Sequence, residues 1–153
     1  MQVRVFWIGK TRLPGIEDLT QEYSRRLTRY CKINAEEVRA AKRKSGVAGG
    51  AGREEAAMLV RSADSHRVVL DPAGKQWDSR QFSEFLRKLQ QRGTRVVSFC
   101  VGGAEGFSTE FRKQADTLLS LSPLTMPHEL ARVVLLEQIY RAWTMLAGHP
   151  YPR

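Results

Sequence analysis

Five short strand-like runs, four of them apolar and one polar, recur along this 153-residue chain, with a stretch of helical periodicity between each and the next. The runs are Val3–Ile8, Lys32–Arg39, His66–Leu70, Arg95–Val101 and Leu118–Leu121. Helical spacing covers Ile16–Tyr30, Arg53 to about Ala63, Ser79 to Gly93, a short piece starting near Ser108, and His128–Ala147. Parallel strands need crossovers of this length, and the order βαβαβαβαβα therefore predicts an α/β fold: a mostly parallel sheet of about five strands flanked by helices. Lys32–Arg39 is polar enough to belong at a sheet edge. No internal repeat or second domain is visible, and residues 1–153 read as a single domain large enough to bury a core.

Local signals sharpen the elements. Ile16, Leu19, Tyr23 and Leu27 share one helical face, and the arginines near the end of that helix complement its dipole. Asp78 or Ser79 caps the next long helix, which turns Phe82, Phe85, Leu86 and Leu89 inward until Gly93 stops it. Ser45–Gly52 (SGVAGGAG) lacks the Gly-Lys-Ser/Thr ending of a phosphate-binding loop and reads as a linker or an RNA-facing loop.

Hydrophobic residues make up 42% and charged residues 27% of the chain, which excludes general disorder. No apolar run is long enough to cross a bilayer, and MQVRVFWIGK reads as a strand, not a signal peptide. Cys31 and Cys100 form no CxxC spacing; they read as buried small hydrophobes in a reducing cytosol. No metal-ligand spacing is present. The net charge is +9 and unevenly spread. Residues 1–50 hold eleven Lys/Arg against five Asp/Glu, residues 51–100 nine against six, and residues 101–153 five against five. The basic surface, carried mainly by Arg25, Arg26, Arg29, Lys32, Arg39, Lys42, Arg43 and Lys44, suits a polyanion. A solvated basic face is the plainer alternative.

The last third carries the chemistry. Arg95–Val101 runs into Gly102-Gly103-Ala104-Glu105-Gly106, and Leu118–Leu121 runs into Ser122-Pro123-Leu124-Thr125-Met126-Pro127. Buried strands that end in loops offering backbone describe a small-molecule pocket at the carboxyl edge of a sheet. In the final helix, Leu135, Ile139, Ala142, Trp143 and Leu146 form a core stripe. Leu130, Val133, Val134 and Tyr140 lie on another face, around the i, i+4 pair Glu137 and Arg141. A helix apolar on two sides predicts a homodimer. Arg132 falls near the core stripe, where a cation is costly unless paired; it serves the pocket or interface, or its stem snorkels to solvent.

VGGAEG, LSLSPLTMPHELARVVLLEQIYRAW and the terminal HPYPR together resemble the ribosomal RNA large subunit methyltransferase H family, small SPOUT-class enzymes that methylate N3 of a pseudouridine in 23S rRNA. IGK at 8–10, EYSRRL at 22–27 and LDPAGKQWDS at 70–79 extend the likeness over the whole chain. The resemblance implies a C-terminal trefoil knot. With no appended RNA-binding domain, the basic surface is expected to do all the docking in the cytoplasm, which favours an assembled ribosome over a free oligonucleotide. S-adenosylmethionine would be held by Leu70, Gly102, Gly103 and the loop of Leu121, Ser122, Pro123, Leu124, Thr125 and Met126.

Methyl transfer requires a dry, oriented pocket and an in-line approach, while the N3 proton must leave. A cation would stabilise charge on the flanking carbonyl oxygens; Arg132 or Arg141 is expected there, with Glu137 as orienting partner. The resemblance also places the C-terminal tail of one protomer over the cofactor site of its partner. Tyr151 would then stack on the base and Arg153 meet a phosphate, but Pro152 replaces the histidine usual in relatives. His128 is expected to cap the last helix or pack its loop. Lys10, Arg25, Arg26 and Arg29 are the further RNA contacts expected. The rival readings are a noncatalytic RNA-binding protein of the same fold, and a SPOUT methyltransferase for another RNA position.

Overall fold

The structure, a computed structural model, describes residues 1–39 and 50–151. Its elements in chain order are β1 (Gln2–Ile8), α1 (Ile16–Leu27), β2 (Ile33–Val38), α2 (Gly50–Arg61), β3 (His66–Gln76), α3 (Ser79–Gln91), β4 (Val96–Val101), α4 (Thr109–Arg112), β5 (Thr117–Ser120) and α5 (His128–Leu146). The strands form one sheet in the order β2-β1-β4-β3-β5, every pair parallel, with the polar β2 at an edge.

Alternation along the strands sorts the core into two layers. Val3, Val5 and Trp7 of β1 face the layer that holds Leu27, Phe82, Leu86, Leu135 and Ile139, so α1, α3 and α5 cover that side. Phe6 and Ile8 face the other layer, with Met58 of α2 and Phe111 of α4. The cap of α3 is reciprocal: Asp78 accepts from the Gln81 N–H at 2.7 Å, and the Gln81 side chain accepts from the Asp78 N–H at 2.9 Å.

Several boundaries differ from expectation. Helix α1 stops at Leu27 instead of Tyr30, because Tyr30 N–H and Cys31 N–H both turn back onto the Leu27 carbonyl. Helix α2 starts at Gly50 and so takes up the last residues of the glycine-rich segment; positions 45–49, and with them Lys42, Arg43 and Lys44, lie outside the described residues. Strand β3 does not end at Leu70. Its pairing with β5 breaks after Leu70 and resumes at Lys75, and both residues register on Leu119. Between them the chain bulges at Asp71, whose carboxylate accepts the Ala73 N–H at 2.8 Å. Gly74 then passes so near β5 that a Cβ would stand 2.6 Å from the Leu119 nitrogen.

The two faces of α5 are also redrawn. Val133 and Leu136 are buried in the protomer, while Leu146 is only half-buried. Leu130 is 40% exposed, and Val134 and Tyr140 are half-buried, so an apolar strip remains around Glu137 and Arg141. Among the described residues no helix is long and apolar enough to cross a membrane.

Candidate active site

At the bulge of β3 and the carboxyl ends of β4 and β5 the chain leaves a cleft of about 690 Å³. All nine residues expected to hold a cofactor line it: Leu70, Gly102, Gly103, Leu121, Ser122, Pro123, Leu124, Thr125 and Met126. The strands deliver these loops side by side because β3 lies between β4 and β5. Gly102 is required by close approach, since a Cβ there would come within 3.2 Å of the Gly106 backbone. Ser122 stiffens the last loop by accepting the Leu124 N–H at 2.9 Å.

Residues that sequence reasoning did not assign to the cleft complete its wall. Asp71 and Arg112 pair across it at 2.9 Å, joining the bulge of β3 to α4. Phe107 stacks on Phe111 at 4.3 Å between ring centroids and lines the cleft beside the glycine turn. His128 faces the cleft and does not cap α5: the N-cap is Pro127, and no side chain caps that end. Its place directly after the Ser122–Pro127 turn was the available signal. The Asp71–Arg112 pair had none, being far apart in sequence.

Glu137 and Arg141 form the expected ion pair, at 2.6 Å and about a fifth exposed. The Arg141 guanidinium lies 4.7 Å from the ring centre of Tyr151, which stands edge-on to Tyr140 at 4.8 Å. Burial, with the Tyr23 hydroxyl beside it, pushes the Tyr151 phenol up to about 12. Tyr30 meets His149 Nδ1 at 2.8 Å, so the tail rests on α1 and α5 of its own chain. None of these groups lines the cleft of the same protomer.

Arg132 is the misplaced expectation. It neither lines the cleft nor snorkels: it is wholly buried, donating to the Ile8 and Gly9 carbonyls at 3.1 and 3.0 Å and to Thr11 Oγ1 at 3.1 Å. Its guanidinium sits 5.3 Å from the centre of the Trp7 ring. Backbone carbonyls, invisible to side-chain pairing rules, supply the compensation that a buried cation needs.

The expected RNA contacts are dispersed. Lys10 is exposed on the loop after β1. Arg25 and Arg26 share Glu22 at 2.8 and 2.7 Å, and Arg26 also lies over Tyr23 and Tyr140. Arg29 is exposed beyond the end of α1, and Arg153 lies outside the described residues. Burial pushes the thiols of Cys31 and Cys100 up to about 11 and about 12, and neither forms a disulfide. The described residues contain no cluster of metal-ligating side chains.

The family described as "Predicted SPOUT methyltransferase" matches residues 1–152. Ribosomal RNA large subunit methyltransferase H of Trichlorobacter lovleyi is 40% identical over 99% of this chain and 99% of its own. The protein of the same name from Koribacter versatilis is 39% identical over 99% and 97%. Among solved structures, the tRNA (m1G37) methyltransferase of Aquifex aeolicus superposes with a TM-score of 0.62 at 14% identity, over 100% of this chain and 75% of that one. A Legionella pneumophila methyltransferase in complex with the bound cofactor SAM gives 0.51 at 16%, over 93% and 66%. Those two likenesses are of fold. Identity near 40% along the full length goes further: the chain belongs to the ribosomal RNA large subunit methyltransferase H family of SPOUT methyltransferases.

Proposed function

We propose that this protein methylates N3 of a pseudouridine in 23S rRNA from S-adenosylmethionine, as a homodimer acting on assembled ribosomes in the cytoplasm. The observation that carries the reading is the cleft itself, bounded by the β3 bulge and two strand-end loops of a chain of this family. Its volume suits a cofactor-sized ligand. Its lining offers backbone groups of the glycine turn and of the proline-stiffened loop at 121–127, apolar walls from Leu70, Leu121 and Met126, and Gly102 where the chain must come close. That donor set fits an adenosine with an amino-acid tail.

Bound there, S-adenosylmethionine supplies an electrophilic methyl group on a sulfonium. The loops orient and dry the site, which is most of what an in-line transfer requires. Arg141, held by Glu137, stabilises the charge that grows on the carbonyl oxygens flanking N3 as its proton leaves. Tyr151, with its phenol near 12, keeps its proton at neutral pH; it donates a hydrogen bond or stacks on the base and is no general base. Pro152 has no group that could take the proton in place of the histidine usual in relatives. Because Glu137, Arg141 and Tyr151 lie outside the cleft of their own chain, the partner protomer provides them across the apolar strip of α5.

Mixing two inactive variants tests this arrangement. Gly102→Val closes the cleft, and Tyr151→Ala removes the tail ring. Each homodimer should be inactive on ribosomes. Co-refolded, they should recover roughly a quarter of the wild-type sites, those in which an intact cleft meets an intact tail. No recovery, while each variant still dimerises, refutes the shared site. Mass spectrometry of 23S rRNA identifies the methylated base, and failure of the wild type to bind S-adenosylmethionine in calorimetry would instead favour a noncatalytic RNA-binding protein.

A further inference from the structure

The first turn of α5 grips the loop Gly9–Leu13 from two sides with opposite charges. Glu129, 5% exposed, accepts the backbone N–H groups of Arg12 at 2.5 Å and Leu13 at 3.2 Å through one oxygen. Arg132, three residues later, donates to the carbonyls of Ile8 and Gly9 and to Thr11 Oγ1. The loop therefore has its donors met by an acid and its acceptors by a base, both from a single helical turn. It carries no regular structure of its own.

Two cations stand on this fixed loop, Lys10 and Arg12, both exposed. Neither has an ion pair among the described residues, in contrast to Arg25 and Arg26, which share Glu22. The loop also adjoins the cleft. A Cβ at Gly9 would lie 4.0 Å from Nε2 of the cleft residue His128, and one at cleft residue Gly103 would lie 3.6 Å from Ile8 Cγ2. Sheet order explains the proximity, since the carboxyl end of β1 lies next to that of β4.

We infer that Glu129 and Arg132 are positioning residues that hold Lys10 and Arg12 at the rim of the cleft as a preformed contact for phosphates of the RNA strand entering it. The inference rests on the methyltransferase reading and adds where the substrate backbone is held. A cation on an already ordered loop meets a phosphate without the entropy cost of ordering that loop on binding. The helix that grips the loop also follows directly from the Leu121–Pro127 segment of the cleft, so one rigid element sets both the cofactor wall and the phosphate contact.

The experiment measures binding of the full-length dimer to 70S ribosomes from about 50 to about 200 mM salt. Lys10→Gln/Arg12→Gln should weaken binding about tenfold at the lower salt and reduce the log–log salt slope by roughly 1.5 to 2, as expected for two lost phosphate contacts. S-adenosylmethionine affinity should stay within about twofold, since neither side chain lines the cleft. Glu129→Ala should reduce the slope similarly, but add less than about twofold when combined with Lys10→Gln/Arg12→Gln. Glu129→Gln, whose amide oxygen still accepts both N–H groups, should restore most of the affinity and serves if the alanine variant does not fold. An unchanged slope in Lys10→Gln/Arg12→Gln overturns the proposal. So does a Glu129→Ala loss that multiplies fully in both backgrounds, which would mark Glu129 as merely structural. Loss of the methyltransferase reading would show separately, as a wild type that binds ribosomes but not S-adenosylmethionine.

Discussion

Arg132 and Arg141 belong to one helix and meet opposite surroundings. The first is sealed among backbone carbonyls and Trp7, where burial pulls its pKa down and Glu129 pulls it back. The second is held by Glu137 at the surface, beside Tyr151. A helical wheel brings both near the site; the fold seals Arg132 inside and leaves Arg141 partly exposed beside Tyr151. Glu129 shows the same division. Burial alone would raise its carboxyl, but the Arg12 and Leu13 N–H groups and the neighbouring Arg132 charge outweigh it and hold the group below its ordinary range. Such a carboxylate stabilises the fold fully above the unfolded value, about 4.3, and the contribution is lost as pH falls through the lower folded value. The melting-temperature gap between wild type and Glu129→Gln should therefore be widest at neutral pH and close as pH falls through the lowered folded value; a gap independent of pH refutes the charge-assisted clamp.

At the scale of elements, most strands and helices were legible because their signals are local. The cap at Asp78 and the Phe82–Leu86–Leu89 spacing define α3 without reference to anything else. Polar β2 declared itself an edge strand. The overrun of β3 was not legible, because Asp71-Pro72-Ala73-Gly74 carries every local sign of a stop. Pairing with β5 extends the strand through it, and no window of sequence contains both partners. Gly74 bears the consequence. Gly74→Ala would place a methyl group against the backbone of Leu118 and Leu119, which cannot retreat as a side chain would. It should cost about 3 kcal/mol or more in chemical denaturation, whereas a cost near zero would mean the crossing is looser than described.

For the whole molecule, the proposed dimer places its interface on the face of α5 around Glu137. Leu130 and Val134 follow the same helical row as Glu137 and Arg141, and the protomer leaves them partly uncovered. Paired Leu130→Asp/Val134→Asp would bring carboxylates together across a two-fold axis, a penalty on the order of 3–5 kcal/mol if that face is the interface. In sedimentation velocity the wild type should run as a dimer and the variant as a folded monomer; a variant still dimeric moves the interface elsewhere, and a monomeric wild type refutes the proposed dimer. The sequence by itself determined the alternating α/β plan, the strand-end loops of the cleft and the Glu137–Arg141 pair, since each follows from spacing within one element or from a loop beside its strand. Tertiary structure alone decided that Asp71 meets Arg112, that Arg132 faces inward to carbonyls, and that the tail lies away from its own cleft. Those outcomes depend on distant chain segments and on backbone atoms, which a one-dimensional pattern of side chains does not encode.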